Sequence, residues 1–162
     1  MPLSINDAGT WREINGVFVN DAGTWREIQE VYVNDAGTWR TVFQNLTVQL
    51  SNDAYSRSQN TASFSLLSTG EFQATDGGAA STQYNWLVAG SASSVEVRVT
   101  PTSGSFSTGT TGAWISLAST RTYTRAWSGG MSSDSVTATV ELRNAFSAVV
   151  LATATITLVA TP

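Results

Sequence analysis

The heptapeptide Asn-Asp-Ala-Gly-Thr-Trp-Arg recurs three times near the start of the chain, inside NDAGTWREINGVFV (residues 6–19), NDAGTWREIQEVYV (20–33) and NDAGTWRTVF (34–43). The period is 14 residues. A tandem repeat this regular builds a stack of small supersecondary units rather than a catalytic site, so the geometry of the unit decides the fold of this region. Its β-rich runs, TWREI and VFV, point to hairpins.

Asn15-Gly16 lies between two such runs, and Asn-Gly is the strongest two-residue hairpin signal because both residues tolerate positive φ. A turn there opposes Ile14 to Val17, Glu13 to Phe18, Arg12 to Val19 and Trp11 to Asn20. In the second copy Gln29-Glu30 takes its place, a poorer turn. The Asn-Asp-Ala-Gly-Thr connection between hairpins suits a type I turn ending in a left-handed Gly. As a four-residue loop it sets Phe18 against Trp25 and Tyr32 against Trp39, an aromatic ladder; a prism of rotated hairpins is the alternative.

Either arrangement leaves apolar residues on both faces: Ile14, Val17 and Val19 on one, Trp11 and Phe18 on the other, with Trp25 and Tyr32 repeating the second. A strand with two apolar faces needs cover on both. The expectation is a β-hairpin repeat module over residues 1–44 that serves assembly or attachment. Trp11, Trp25, Trp39, Phe18, Tyr32, Arg12, Arg26 and Arg40 form its assembly or ligand surface. The Trp residues pack within that surface, with the Arg stems over neighbouring rings, or they stack on sugar rings.

Residues 45–162 read differently. Alternation runs through Leu46, Val48 and Leu50, through Phe64 and Leu66, and through Val95, Val97 and Val99. It is clearest in Val136, Ala138, Val140 and Leu142 and in Val150, Ala152, Ala154, Ile156 and Leu158, which flank a hairpin loop at RNAFSA. Shorter candidates are 84–88, 114–118 and 120–127. Seven or eight strands separated by turn-rich stretches such as SNDAYSRSQN and TDGGAAS predict an antiparallel β-sandwich. Trp86 is its expected core anchor, and residues 100–113 read as a solvated hairpin loop.

Composition narrows function. Charged residues make up 12% of the 162, all eight cations are Arg, and His and Cys are absent. Residues 1–43 hold three Arg and six acids, and the net charge of the whole chain is −4. With no basic patch, nucleic acid is not an expected partner, and no apolar run is long enough to span a membrane. MPLSINDAGT has neither the basic nor the apolar region of a secretory signal. Triads and dyads that need His or Cys are unavailable. Asp53, Glu71, Asp76, Glu96, Asp134 and Glu141 are candidate acids, but nothing in the pattern pairs any two of them. Calcium at the Asn20-Asp21 loops is conceivable, yet the turn explains those residues without a metal. No catalytic residue, cofactor or metal site is expected.

GTWREIQEVYVNDAGTWRTV resembles the short Gly-Thr-Trp-[Lys/Arg] repeats near the N-termini of structural proteins of tailed bacteriophages. VEVRVTPTSGSFSTGTTGAWISLASTRTYT and SVTATVELRNAFSAVVLATATITL resemble the Ig-like domains of small phage virion and tail proteins. The first resemblance spans residues 23–42 and the second falls within residues 95–158. The resemblance implies an all-β protein with an N-terminal β-hairpin repeat module of period 14 followed by an antiparallel Ig-like β-sandwich. It also implies a non-enzymatic virion subunit of a tail, baseplate, neck or fibre, assembled in the host cytoplasm. Its expected partners are other virion proteins and further copies of itself, with a homotrimer as the first guess. The alternative is a carbohydrate-binding or adhesion module that recognises a host cell-surface glycan.

Overall fold

A computed structural model describes residues 4–13, 17–28, 30–51, 55–76, 79–130 and 132–162. The fold is all-β: among the described residues the only helical element is one 3₁₀ turn, Ala92–Ser94. The chain divides into two compact units, Met1–Leu46 and Thr47–Pro162.

The first unit contains β1 (Ser4–Asp7), β2 (Thr10–Glu13), β3 (Val17–Asp21), β4 (Thr24–Ile28), β5 (Glu30–Asp35) and β6 (Thr38–Gln44). They pair as three separate two-stranded antiparallel sheets, β1 with β2, β3 with β4 and β5 with β6. The hairpins therefore turn at Ala-Gly within NDAGT, and the expected phase is corrected. Phe18 pairs with Glu27 and Val19 with Arg26, rather than with Glu13 and Arg12. In the third hairpin Val31 pairs with Phe43. The expected turn at Asn15-Gly16 itself lies outside the described residues.

Local chemistry explains the phase. Ala22 and Gly23 both have positive φ, +49° and +89°, and Ala36 and Gly37 repeat these values. Two consecutive positive-φ residues make a type I′ turn, whose twist matches that of the flanking strands. A left-handed Ala costs roughly 1–2 kcal/mol. The Asn before each turn helps to offset it: Asn20 Oδ1 accepts a hydrogen bond from Gly23 N–H, and Asn34 Oδ1 from Gly37 N–H, both at 2.8 Å. A loop of two residues instead of four also shifts the ladder. Trp25 opposes Asn20 and Trp39 opposes Asn34, so each ring is diagonal to Phe18 or Tyr32 rather than opposite it.

The second unit begins with β7 (Thr47–Val48), β8 (Tyr55–Gln59), β9 (Thr61–Leu66), β10 (Glu71–Asp76), β11 (Ala79–Asn85) and β12 (Leu87–Ala89). It continues with β13 (Val95–Ser103), β14 (Ile115–Ser116), β15 (Arg121–Ala126), β16 (Asp134–Asn144) and β17 (Val150–Thr161). Nine of these strands form one sheet in the order β14-β13-β16-β17-β8-β10-β9-β15, with β11 paired to β10, while β7 and β12 form a separate pair. Most neighbours are antiparallel, but β8 runs parallel to β17, with Tyr55 opposite Thr157 and Gln59 opposite Thr161. Although β15 and β16 are far apart in the strand order, Arg125 of β15 reaches Asp134 of β16 at 3.0 Å. The sheet thus turns back over itself.

Alternation selects the core. Val95, Val97, Val99, Val136, Ala138, Val140, Leu142, Ile156 and Leu158 point inward, together with Phe64, Leu66, Phe72 and Tyr123. Each large side chain buried here stabilises the fold by about 1.5–3 kcal/mol. Phe64 stacks on Tyr123 at 5.0 Å and on Phe72 at 5.8 Å. Trp86 is fully buried, and its indole Nε1–H donates to Leu67 O at 3.1 Å. It occupies the bend between β11 and β12 rather than a strand.

Three segments depart from the sequence reading. SNDAYSRSQN and TDGGAAS supply strand residues of β8, β10 and β11. In β8 the inward side chains are Ser56 and Ser58, which carry no apolar alternation to detect. Residues 100–103 continue β13, and residues 104–113 are solvent-exposed as expected except at Phe106, but the loop is also anchored. Thr108 bridges to Thr124, and Phe106 packs 5.5 Å from Tyr123 and 6.2 Å from Phe64. Gly109 sits so close to that cluster that a Cβ there would lie 2.5 Å from the Tyr123 ring.

Candidate functional surface

In the second and third hairpins the period-2 alternation sorts the repeated residues onto two faces. Phe18, Asn20 and Trp25 share one face of β3–β4, and Tyr32, Asn34 and Trp39 share the matching face of β5–β6. Trp25 and Trp39 are each 68% exposed, with Phe18 at 57% and Tyr32 at 50%. The Tyr32 hydroxyl donates to the Glu30 carboxylate along the same strand. The opposite faces carry Val19 and Val33, which are also exposed. They carry the ion pairs Arg26–Asp21 at 3.5 Å and Arg40–Asp35 at 3.3 Å as well. These pairs are open to water and stabilise little by themselves. They replace the expected stacking of Arg stems on the rings, since each Arg lies on the face away from Trp. The side chains of Trp11 and Arg12 lie outside the described residues; their backbones pair with Asn6 and Ile5 as the repeat requires.

The second unit brings together residues that sequence reasoning kept apart. Glu96 and Glu141 do point outward, and strand register sets them diagonally across β13 and β16. Each is tied to an arginine: Arg143 to Glu96 and Arg98 to Glu141, both at 2.7 Å. The Glu141 hydrogen bond holds the Arg98 guanidinium above its usual pKa. Trp114 lies against both guanidiniums, 4.6 Å from Arg98 and 4.2 Å from Arg143. The result is a checkerboard of two cations and two anions beside one indole. The ion pairs and the indole between them tie β13, β16 and the segment before β14 together.

Asp134 is the other acid whose environment the sequence did not reveal. It is buried at the start of β16. One oxygen accepts from Ser128 N–H at 2.6 Å and Ser128 Oγ–H at 2.7 Å, and the other meets Arg125 at 3.0 Å. These partners, led by the Ser128 amide, hold its pKa below the usual carboxylate range against the opposing effect of burial. Arg125 also donates to Ser105 O at 3.1 Å, so one ion pair joins three segments. Burial pushes the Tyr123 hydroxyl above the usual tyrosine value, and it has no hydrogen-bond partner in the structure. A shallow recess on β10–β11 is lined by Glu71, Gln73, Gln83, Tyr84 and Asn85.

Asp53 lies outside the described residues, as does the side chain of Asp76. Among the described residues no group of three His, Cys, Asp or Glu side chains is placed to hold a metal ion. At the loops considered for calcium, Asn20 is engaged by the Gly23 amide and Asp21 by Arg26. Among the described residues no helix is long and apolar enough to cross a membrane. Comparison of the chain with protein-family models, with curated proteins and with solved structures returns no match.

Proposed function

We propose that this protein is a non-enzymatic structural subunit of a phage particle. In this reading the hairpin module attaches the chain to other virion proteins, and an Ig-like sandwich over residues 45–162 is displayed outward. The observation that carries the reading is the contrast in cover between the units. The first leaves Phe18, Trp25, Tyr32 and Trp39 half or more exposed, while the second closes its own core. An apolar surface of that kind on a small module is an interaction surface. The motif resemblance supplies the kind of assembly. The mostly antiparallel pairing and the sheet that folds back on itself support a sandwich reading, while β8 departs from it by pairing parallel to β17 and β10.

The direct test is to purify particles from lysates that contain this chain and label them with antibody against residues 45–162. Decoration of a tail, baseplate, neck or fibre is expected. Particles whose proteome lacks the chain overturn the proposal.

A second reading, recognition of a cell-surface glycan, is favoured by one feature. Trp25 and Trp39 occupy equivalent positions on equivalent faces and are equally exposed, as stacking platforms for successive sugar rings would be. Saturable binding on a glycan array, lost in Trp25→Ala, would establish it; no binding to any bacterial surface glycan removes it.

A further inference from the structure

We propose that the outer edges of the repeat hairpins are completed by further copies of this chain, strand edge against strand edge. The inference rests on the assembly role given above to the module and names the partner.

The geometry of the turns exposes the edges. A two-residue loop makes its flanking pair, Asp21 with Thr24, the hydrogen-bonded one, and bonded and non-bonded pairs then alternate along the ladder. Phe18, Asn20, Trp25 and Glu27 fall in the non-bonded pairs, so their backbone N–H and C=O groups point away from the partner strand. Among the described residues no third strand pairs with any of the three hairpins. An isolated two-stranded hairpin is marginally stable in water, and three or more strands or a covering layer are needed for independent stability. Unpaired edges of this kind are templates for another strand.

The repeat indicates which strand. Between β4 and β5 only Gln29 intervenes in the sequence; β4 pairs backward with β3 and β5 pairs forward with β6. Open edges therefore recur with the 14-residue period of the sequence. A partner that satisfies all of them must carry donors, acceptors and apolar residues at that same spacing, and another copy of this chain does so by construction. The Asp–Arg pair at equivalent positions leaves that one face of each later hairpin balanced in charge, although residues 1–43 as a whole hold six acids against three arginines. If the β3 edge of one copy meets the β4 edge of the next, the contact is head-to-tail, and it closes into a ring when the rotation between copies divides a full turn.

The test uses the full chain. Native mass spectrometry and light scattering should give a closed oligomer of fixed size. Amide exchange at Phe18, Trp25 and Glu27 should be slowed about tenfold or more relative to the diluted monomer. Glu27→Pro removes an outward N–H while sparing the ladder within the hairpin, and should yield monomers whose second unit melts as in the parent. Trp25→Ser with Trp39→Ser keeps the edges and should weaken association without abolishing amide protection at high concentration.

A full chain that stays monomeric at the highest concentration reached overturns the inference. So does an oligomer that survives Glu27→Pro, or one that assembles with the three amides unprotected. Failure of the virion placement is distinct from this: a chain that oligomerises as described but is missing from particles leaves the edge pairing standing. Single copies on particles, with a monomer in solution, do the reverse.

Discussion

Trp86 and Trp25 are the same residue in neighbouring units with opposite surroundings. Trp86 is fully buried with its indole nitrogen hydrogen-bonded, whereas Trp25 is 68% exposed on a two-stranded hairpin. Both units are built from β-strands rich in Val, Thr and aromatic residues. The difference is the number of strands a unit can fold over itself. Nine strands turning back over one another enclose a core, while among the described residues the three separate hairpins leave no large apolar side chain fully buried. The same side chains therefore stabilise the chain in one unit and form an unsatisfied surface in the other.

The comparison is broken most severely by removing the anchor of the closed unit. Trp86→Ala is expected to cost about 3–5 kcal/mol, measured by urea denaturation of the second unit. A loss below about 0.5 kcal/mol would show that the ring is dispensable and that the closed unit does not depend on it.

Asp134→Asn comes next and sharpens the contrast through pH. The folded-state pKa of Asp134 is depressed, so its contribution is present above the ordinary carboxylate range and is lost as pH falls through the depressed folded value. At about pH 7 the variant should melt below the parent, and the gap should shrink as the pH is lowered below the usual carboxylate range. A gap independent of pH would mean that the Asp134 charge is not what holds Arg125 and Ser128.

Smaller and opposite in sign, Ala36→Asn should stabilise the third hairpin. It relieves a left-handed alanine and creates the Asn-Gly pair that type I′ turns favour, a gain of about 0.5–1 kcal/mol. A loss of strand signal in the circular dichroism of that variant would place the strain elsewhere. The smallest effect belongs to Trp25→Ala. Its influence on the thermal stability of the isolated monomer should stay within about 0.5 kcal/mol, since the ring covers little in one chain. A larger loss would mean that the hairpin face is already packed in the monomer.

Much of the closed unit was legible because its core strands alternate strictly. Val95, Val97 and Val99 in β13 and Val136 through Leu142 in β16 mark their inner face without ambiguity. β8 was not legible, because Ser56 and Ser58 take its inward positions and hydrogen bonding replaces apolar contact there. The repeat was plain, but its phase was misread. Asn15-Gly16 is a strong turn signal present in one copy, whereas Asn-Asp-Ala-Gly is present in all three, and its alanine disguises a type I′ turn. Recurrence was the better guide. In the second unit, the outward placement of Glu96 and Glu141 followed from alternation. Their ties to Arg143 and Arg98, and the indole of Trp114 beside them, depend on the register between β13 and β16, which no local pattern encodes.

The parallel pairing of β8 with β17 also sets an order of events. Residues 55–59 meet residues 157–161, so this contact spans nearly the whole of the second unit and cannot form until the last strand has been synthesised. The repeat hairpins close loops of two residues and need only local search, on the microsecond scale typical of hairpins. A nascent chain thus exposes its aromatic hairpins while the larger unit is still waiting for β17. If copies associate through the repeats as proposed, that association can begin on a polysome before the fold that follows them is complete.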